Sequence, residues 1–138
     1  MSEIIVPDTC LCTIVRDELM NPAGGIIDFV HSNAPYYEVI VVVDTGSVDE
    51  TREVLDKLVA QYPNLKIFDV EFKDFSYARN FSLKKAREMG TRYIFIDDAD
   101  ERLTKLDIIE LRDFMDANKN MAACLFDCLY IDYDEMKK

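Results

Sequence analysis

Four carboxylates fall within five residues in Asp97-Asp98-Ala99-Asp100-Glu101, directly after the apolar run Tyr93-Ile94-Phe95-Ile96. Two ionised carboxylates about 4 Å apart repel by ~4 kcal/mol at an effective dielectric of about 20. Such a cluster at a strand end is costly unless a cation or hydrogen-bond donors offset it. The Asp98-x-Asp100 spacing offers a hard divalent ion, Mg²⁺ or Mn²⁺, two oxygen ligands, with water and a substrate phosphate to complete the shell. The same letters also fit a solvated acidic turn, so the surrounding elements must decide.

Those elements alternate. Thr9 to Val15 reads as a first strand, and Arg16-Asp17-Glu18 turns it towards a helix over Pro22 to His31, with Ile26, Ile27 and Val30 on one face. Val39-Ile40-Val41-Val42-Val43 is β-branched throughout and lacks polar alternation, which predicts a strand buried on both faces and stopping at Asp44. Ser47-Val48-Asp49-Glu50 has the form of a capping box and predicts a helix running to the Tyr62-Pro63 break. Lys66 to Phe72 is a third strand, Ser76 to Met89 a third helix closed by Gly90, and Tyr93 to Ile96 a fourth strand. Leu106 to Met115 follows as a helix and Met121 to Tyr130 as a last strand. This order implies an α/β fold with a mostly parallel sheet between helical layers, whose ligands bind outside the carboxyl ends of the strands. Arg16 to Glu18, Asp44 to Ser47 and Asp97 to Glu101 all occupy such ends.

Length and charge narrow the partners. The 138 residues, 49% of them hydrophobic, suit one domain, and no repeat or linker argues for a second. A formal net charge of -11 disfavours a nucleic-acid backbone or an anionic membrane as partner, so any bound phosphate needs a local cation. No apolar stretch reaches the ~20 residues of a membrane span, and the start lacks signal-peptide character, which reads as a soluble cytoplasmic protein. Cys10, Cys12, Cys124 and Cys128 lie in apolar stretches without a C-x-x-C pair and are expected to be buried thiols. With only Gly24, Gly25, Gly46 and Gly90, no glycine-rich phosphate cradle can be built.

Four segments in order carry a resemblance: Cys12-Thr13-Ile14-Val15-Arg16-Asp17-Glu18; Val43-Asp44-Thr45-Gly46-Ser47-Val48-Asp49-Glu50-Thr51; Phe75-Ser76-Tyr77-Ala78-Arg79-Asn80; and Asp98-Ala99-Asp100-Glu101. Together they resemble the nucleotide-binding part of a family 2 glycosyltransferase of the GT-A fold, over about residues 8 to 130. The resemblance implies a three-layer, Rossmann-like α/β/α domain truncated on the acceptor side. It implies a nucleotide-sugar donor, UDP-sugar first among them, for hexosyl transfer to a glycan, lipid or protein hydroxyl. It points to Thr13, Arg16, Glu18 and Asp44 for the nucleobase, Arg79 for the nucleotide side of the cleft, Asp98 for the ribose and, with Asp100, for a Mn²⁺ or Mg²⁺ ion.

A carboxylate at a sheet rim can accept the imide N–H of uracil, which gives Asp44 a chemical reason to be there; a turn residue before Gly46 is its other reading. Ser47 reads as a helix N-cap rather than a ligand. Arg79 offers a planar positive fork for diphosphate or for acidic neighbours, or an ordinary surface ion pair. Nothing around Asp127, Asp132 or Asp134 matches the family's acceptor side, so no catalytic base is named and the chain reads as a fragment or a minimal version of a longer transferase. Its acceptor half is then a missing segment or another chain, the apolar Met121 to Tyr130 strand would drive self-association, and a non-catalytic nucleotide or nucleotide-sugar binding module is the alternative function.

Overall fold

The β-branched run at the middle of the chain forms the centre of a four-stranded sheet. In the computed structural model, residues 5–16, 25–97 and 105–118 are described, the side chains of 105–107 excepted. The elements are β1 (Val6–Val15), α1 (Gly25–Asn33), β2 (Tyr37–Asp44), α2 (Thr51–Gln61), β3 (Leu65–Asp69), α3 (Phe75–Glu88), β4 (Tyr93–Ile96) and α4 (Lys105–Ala117). The strand order is β3-β2-β1-β4 and every pairing is parallel. The expected last strand, Met121 to Tyr130, lies outside the described residues, as do Cys124 and Cys128.

Period-two alternation divides the sheet's side chains between two helical layers. Leu11, Val15, Ile40, Val42 and Phe95 pack with Ile26, Phe29 and Val30 of α1, Leu55 and Leu58 of α2 and Ile108 of α4. Cys10, Cys12, Val41 and Val43 turn the other way, against Ala86 of α3. Ile40 to Val43 are all fully buried, as a strand covered on both faces requires. No helix among the described residues is long and apolar enough to cross a membrane.

The differences from the sequence reading have local causes. On α1 the buried face is Ile26, Phe29 and Val30, while Ile27 is exposed, one helical step off that stripe. β1 begins earlier than expected, with a register shift between Val6 and Cys10 and Asp8 at φ 62°, a bulge that takes up the extra chain. β3 stops at Asp69, and α3 starts at Phe75, where Asp74 Oδ1 accepts the Tyr77 N–H at 2.7 Å and so caps the helix.

Tyr37 is fully buried at the start of β2, edge-on to Phe95 with ring centroids 5.5 Å apart, and its hydroxyl has no hydrogen-bond partner. Burial pushes the phenol well above its ordinary pKa, with the Asp97 charge adding to the shift. An unpaired buried hydroxyl costs about 1–3 kcal/mol. Tyr37→Phe should therefore leave thermal stability unchanged or raise it; a clear fall in Tm would show that the hydroxyl is satisfied.

Candidate functional site

Three strands end together and the fourth stops short. Val15, Asp44 and Asp69, the last residues of β1, β2 and β3, are register partners across the sheet. The last residue of β4, Ile96, pairs with Cys12, and the following N–H, of Asp97, donates to the Cys12 carbonyl at 3.4 Å. Asp97 therefore leaves the sheet beside Thr13 to Val15, on the rim that also carries Asp44.

Asp44 is held tightly for a strand-end residue. It is 2% exposed, and its Oδ1 accepts the Gly46 N–H at 2.8 Å and the Ser47 N–H at 2.7 Å. Gly46 makes this turn at φ 107°, a conformation that L side chains rarely adopt, although a Cβ there would meet no atom within 4 Å. The neighbouring backbone closes around it: the Thr45 N–H donates to the Val15 carbonyl at 3.0 Å, and the Val70 N–H donates to the Asp44 carbonyl at 3.0 Å. The second carboxylate oxygen, Oδ2, is buried and has no hydrogen-bond partner. A buried acceptor of this kind is costly unless a donor comes to it.

Ser47 does not cap α2. The helix starts at Thr51, with Glu50 in the N-cap position and no side-chain cap, while Asp49 Oδ1 accepts the Thr51 N–H at 2.8 Å. The Ser47 N–H instead belongs to the Asp44 turn.

α3 leaves the end of β3 and returns over β1 and β2, so its first turn lies at the same rim. Arg79 is half-buried in the next turn. The Cys12 thiol registers both Arg79 and Asp97: burial pushes its pKa up, hydrogen bonding with Ser82 and the Arg79 guanidinium pull it down, and the Asp97 carboxylate pushes it up. Arg79, Asp97 and Ser82 thus gather around one buried sulfur at the end of the sheet. Burial, with the neighbouring Cys12, pushes Cys10 up to about 12, so both thiols are inert packing groups at neutral pH.

The residues singled out from sequence fall into three groups. Asp44 and Arg79 line the carboxyl rim. Thr13 is fully buried within β1, opposite Val42, and its hydroxyl has one long contact, 3.5 Å, to the Ile14 carbonyl; Arg16 is exposed just past the strand. Glu18, Asp98 and Asp100 lie outside the described residues. Sequence reasoning missed the Gly46–Ser47 clamp, for which the Asp-x-Gly-Ser letters were a usable signal, and Asp97, whose burial depends on tertiary contacts.

The rim is braced at its β3 end. Arg52 of α2 forks onto Asp69, Nε to Oδ1 at 2.8 Å and Nη2 to Oδ2 at 3.0 Å, and also meets Asp56. Hydrogen bonding from Arg52 holds the Asp69 carboxyl below its ordinary pKa. A lowered folded-state pKa contributes stability that is complete above the ordinary carboxylate value and lost as pH falls through the lowered one. The pair is largely exposed, so the contribution is about 0.2–1 kcal/mol. Arg52→Ala should cost that much in thermal stability at neutral pH and less once Asp69 and Asp56 are protonated; an equal cost in acid would assign the loss to packing.

The family model described as glycosyl transferase family 2 matches residues 25–138. The chain belongs to glycosyl transferase family 2. Its parallel sheet between helical layers is the GT-A architecture of that family, and solved structures show the same fold. The crystal structure of S. aureus TarS residues 1–349 superposes with a TM-score of 0.62 at 21% identity, over 80% of this chain and 33% of that one. The same protein in complex with UDP-GlcNAc gives 0.62, again at 21% identity, over 80% and 32%. A further S. aureus TarS structure gives 0.58 at 19% identity, over 80% and 20%. This glycosyl transferase family 2 chain thus spans about a third of the length of the first of these structures. A search of curated protein sequences finds no match.

Proposed function

We propose that the chain forms the donor site of a glycosyltransferase, binding a uridine diphosphate sugar for hexosyl transfer to an acceptor hydroxyl. The observation that carries this reading is Asp44 Oδ2, a buried acceptor fixed at the sheet rim with no partner of its own. The imide N–H of uracil is a donor that would satisfy it. TarS, similar in fold, has been solved in complex with UDP and with UDP-GlcNAc, which supports uridine as the nucleoside.

The diphosphate belongs on the α3 side of the rim. Arg79, in the second turn of α3, supplies a positive charge, while Arg16 and Glu18 flank the base beyond the end of β1, Thr13 supports that end from inside the sheet and Asp98 takes the ribose. Among the described residues no three His, Cys, Asp or Glu side chains group to hold a metal. The family resemblance assigns the ligands for Mn²⁺ or Mg²⁺ to Asp98 and Asp100, hard oxygen donors that follow the buried Asp97 in sequence. When bound, that ion would stabilise the departing nucleoside diphosphate. The protein's own part is to read the base edge through Asp44 and to hold the half-buried Arg79 towards the diphosphate.

Calorimetric titration with UDP, in Mn²⁺ and in chelator, tests this reading, with CDP and GDP as comparators. UDP should bind in Mn²⁺, more tightly than CDP or GDP, and weaken in chelator. Equal affinity with and without metal would remove the ion from the account, and no UDP binding would remove the donor site.

A further inference from the structure

Three aromatic side chains stand in solvent on the segment that follows Asp44's neighbour strand. Phe72 is 37% exposed, Phe75 73% and Tyr77 41%. Phe72 meets Phe75 edge to face, with centroids 5.5 Å apart and planes at 85°, so one ring props the other. Phe75 is the first residue of α3 and is fixed in place by the Asp74 cap. The face of Tyr77 is already taken by Lys73, whose Nζ lies 4.8 Å from the ring centroid, which leaves the phenylalanine pair as the open surface.

We infer that Phe75, braced by Phe72, is a stacking platform for the nucleobase whose edge Asp44 reads. The inference rests on the uridine reading above and adds an affinity-determining contact to it, the choice of base staying with Asp44. Val70 ties this segment to the site, since its N–H donates to the Asp44 carbonyl, and Phe72 follows two residues later. A planar base needs an edge partner and a face partner. Asp44 Oδ2 is an unpartnered edge acceptor, and an exposed phenylalanine ring is the matching apolar face.

The chain contains no tryptophan, so Phe75→Trp places a single indole reporter on the platform. Its fluorescence should change saturably with UDP and with uridine, and not with pyrophosphate, each in Mn²⁺. Phe75→Ala should bind UDP roughly tenfold more weakly than the unaltered chain, as loss of one stacked base implies, with Phe75→Tyr restoring affinity. Circular dichroism of the variants confirms that the fold is kept. If the unaltered chain binds UDP and Asp44→Asn weakens it, yet Phe75→Ala binds as before, the platform is wrong and the donor site stands. If Phe75→Ala changes the solution mass and leaves UDP affinity intact, the ring is a contact between copies and the inference fails. If the unaltered chain binds no UDP, the donor reading falls and the platform falls with it.

Discussion

Asp100→Ala should lower the affinity for UDP in Mn²⁺ to the value the unaltered chain shows in chelator, a loss on the order of a hundredfold. The chain carries a net charge of -11, and its candidate site adds Asp44, Asp97 and the carboxylates after it. One like-charge pair about 4 Å apart costs ~4 kcal/mol at an effective dielectric of about 20, and solvent takes back part of that. On the proposed reading a diphosphate must approach these carboxylates with Arg79 and Arg16 as the cations at the rim, so a divalent ion should strengthen its binding. Asp113→Ala, an exposed carboxylate on α4 whose neighbour is Arg112, should leave affinity unchanged. Calorimetry on both variants measures this; Asp100→Ala with full metal-dependent affinity would place the ion elsewhere.

The second large effect is expected at Asp44. In Asp44→Asn the amide oxygen can keep the Gly46 and Ser47 N–H groups, which directs the amide nitrogen to the place of Oδ2. A donor would then face the imide N–H of uracil. Affinity for UDP should fall by about 1–3 kcal/mol, the cost of leaving a buried group unpaired. Cytosine presents an acceptor at the same ring position, so the variant should shift its preference towards CDP. Parallel titrations with UDP and CDP measure the swap, and unchanged affinity for both would leave Asp44 as a turn residue. Asp44→Ala is a harsher change, because it also strands the two N–H groups of the turn and should lower Tm.

The sheet was legible because its signals are local. Val39 to Val43 could only be a strand covered on both faces, and Tyr93 to Ile96 ends where the acidic run begins, as the structure has it. The start of α2 was not legible, since the Ser-x-x-Glu pattern takes no account of competition for the Ser47 N–H. That donor goes to the Asp44 carboxylate, and the helix begins four residues beyond Ser47. The end of β3 also differed: the Val70 N–H makes the last ladder bond, to the Asp44 carbonyl, and the chain departs before Phe72 towards the Asp74 cap of α3. Asp44 itself could be found from its place after an apolar strand. Its clamp by Gly46 and Ser47 is local and was signalled by the Asp-x-Gly-Ser letters, whereas the gathering of Arg79, Asp97 and Ser82 at Cys12 depends on contacts between segments far apart in sequence.

The central claim is that a uridine nucleotide seats at the carboxyl rim beside Asp44, and amide chemical shifts test it most directly. On titration of the ¹⁵N-labelled chain with UDP and Mg²⁺, a diamagnetic ion, the amides of Thr45, Gly46, Ser47 and Val70 should shift together and saturably. Those at the opposite end of the sheet, Tyr36, Tyr37 and Leu65, should stay in place. Shifts confined to that opposite end, or none at the Asp44 turn while UDP binds, would contradict the account.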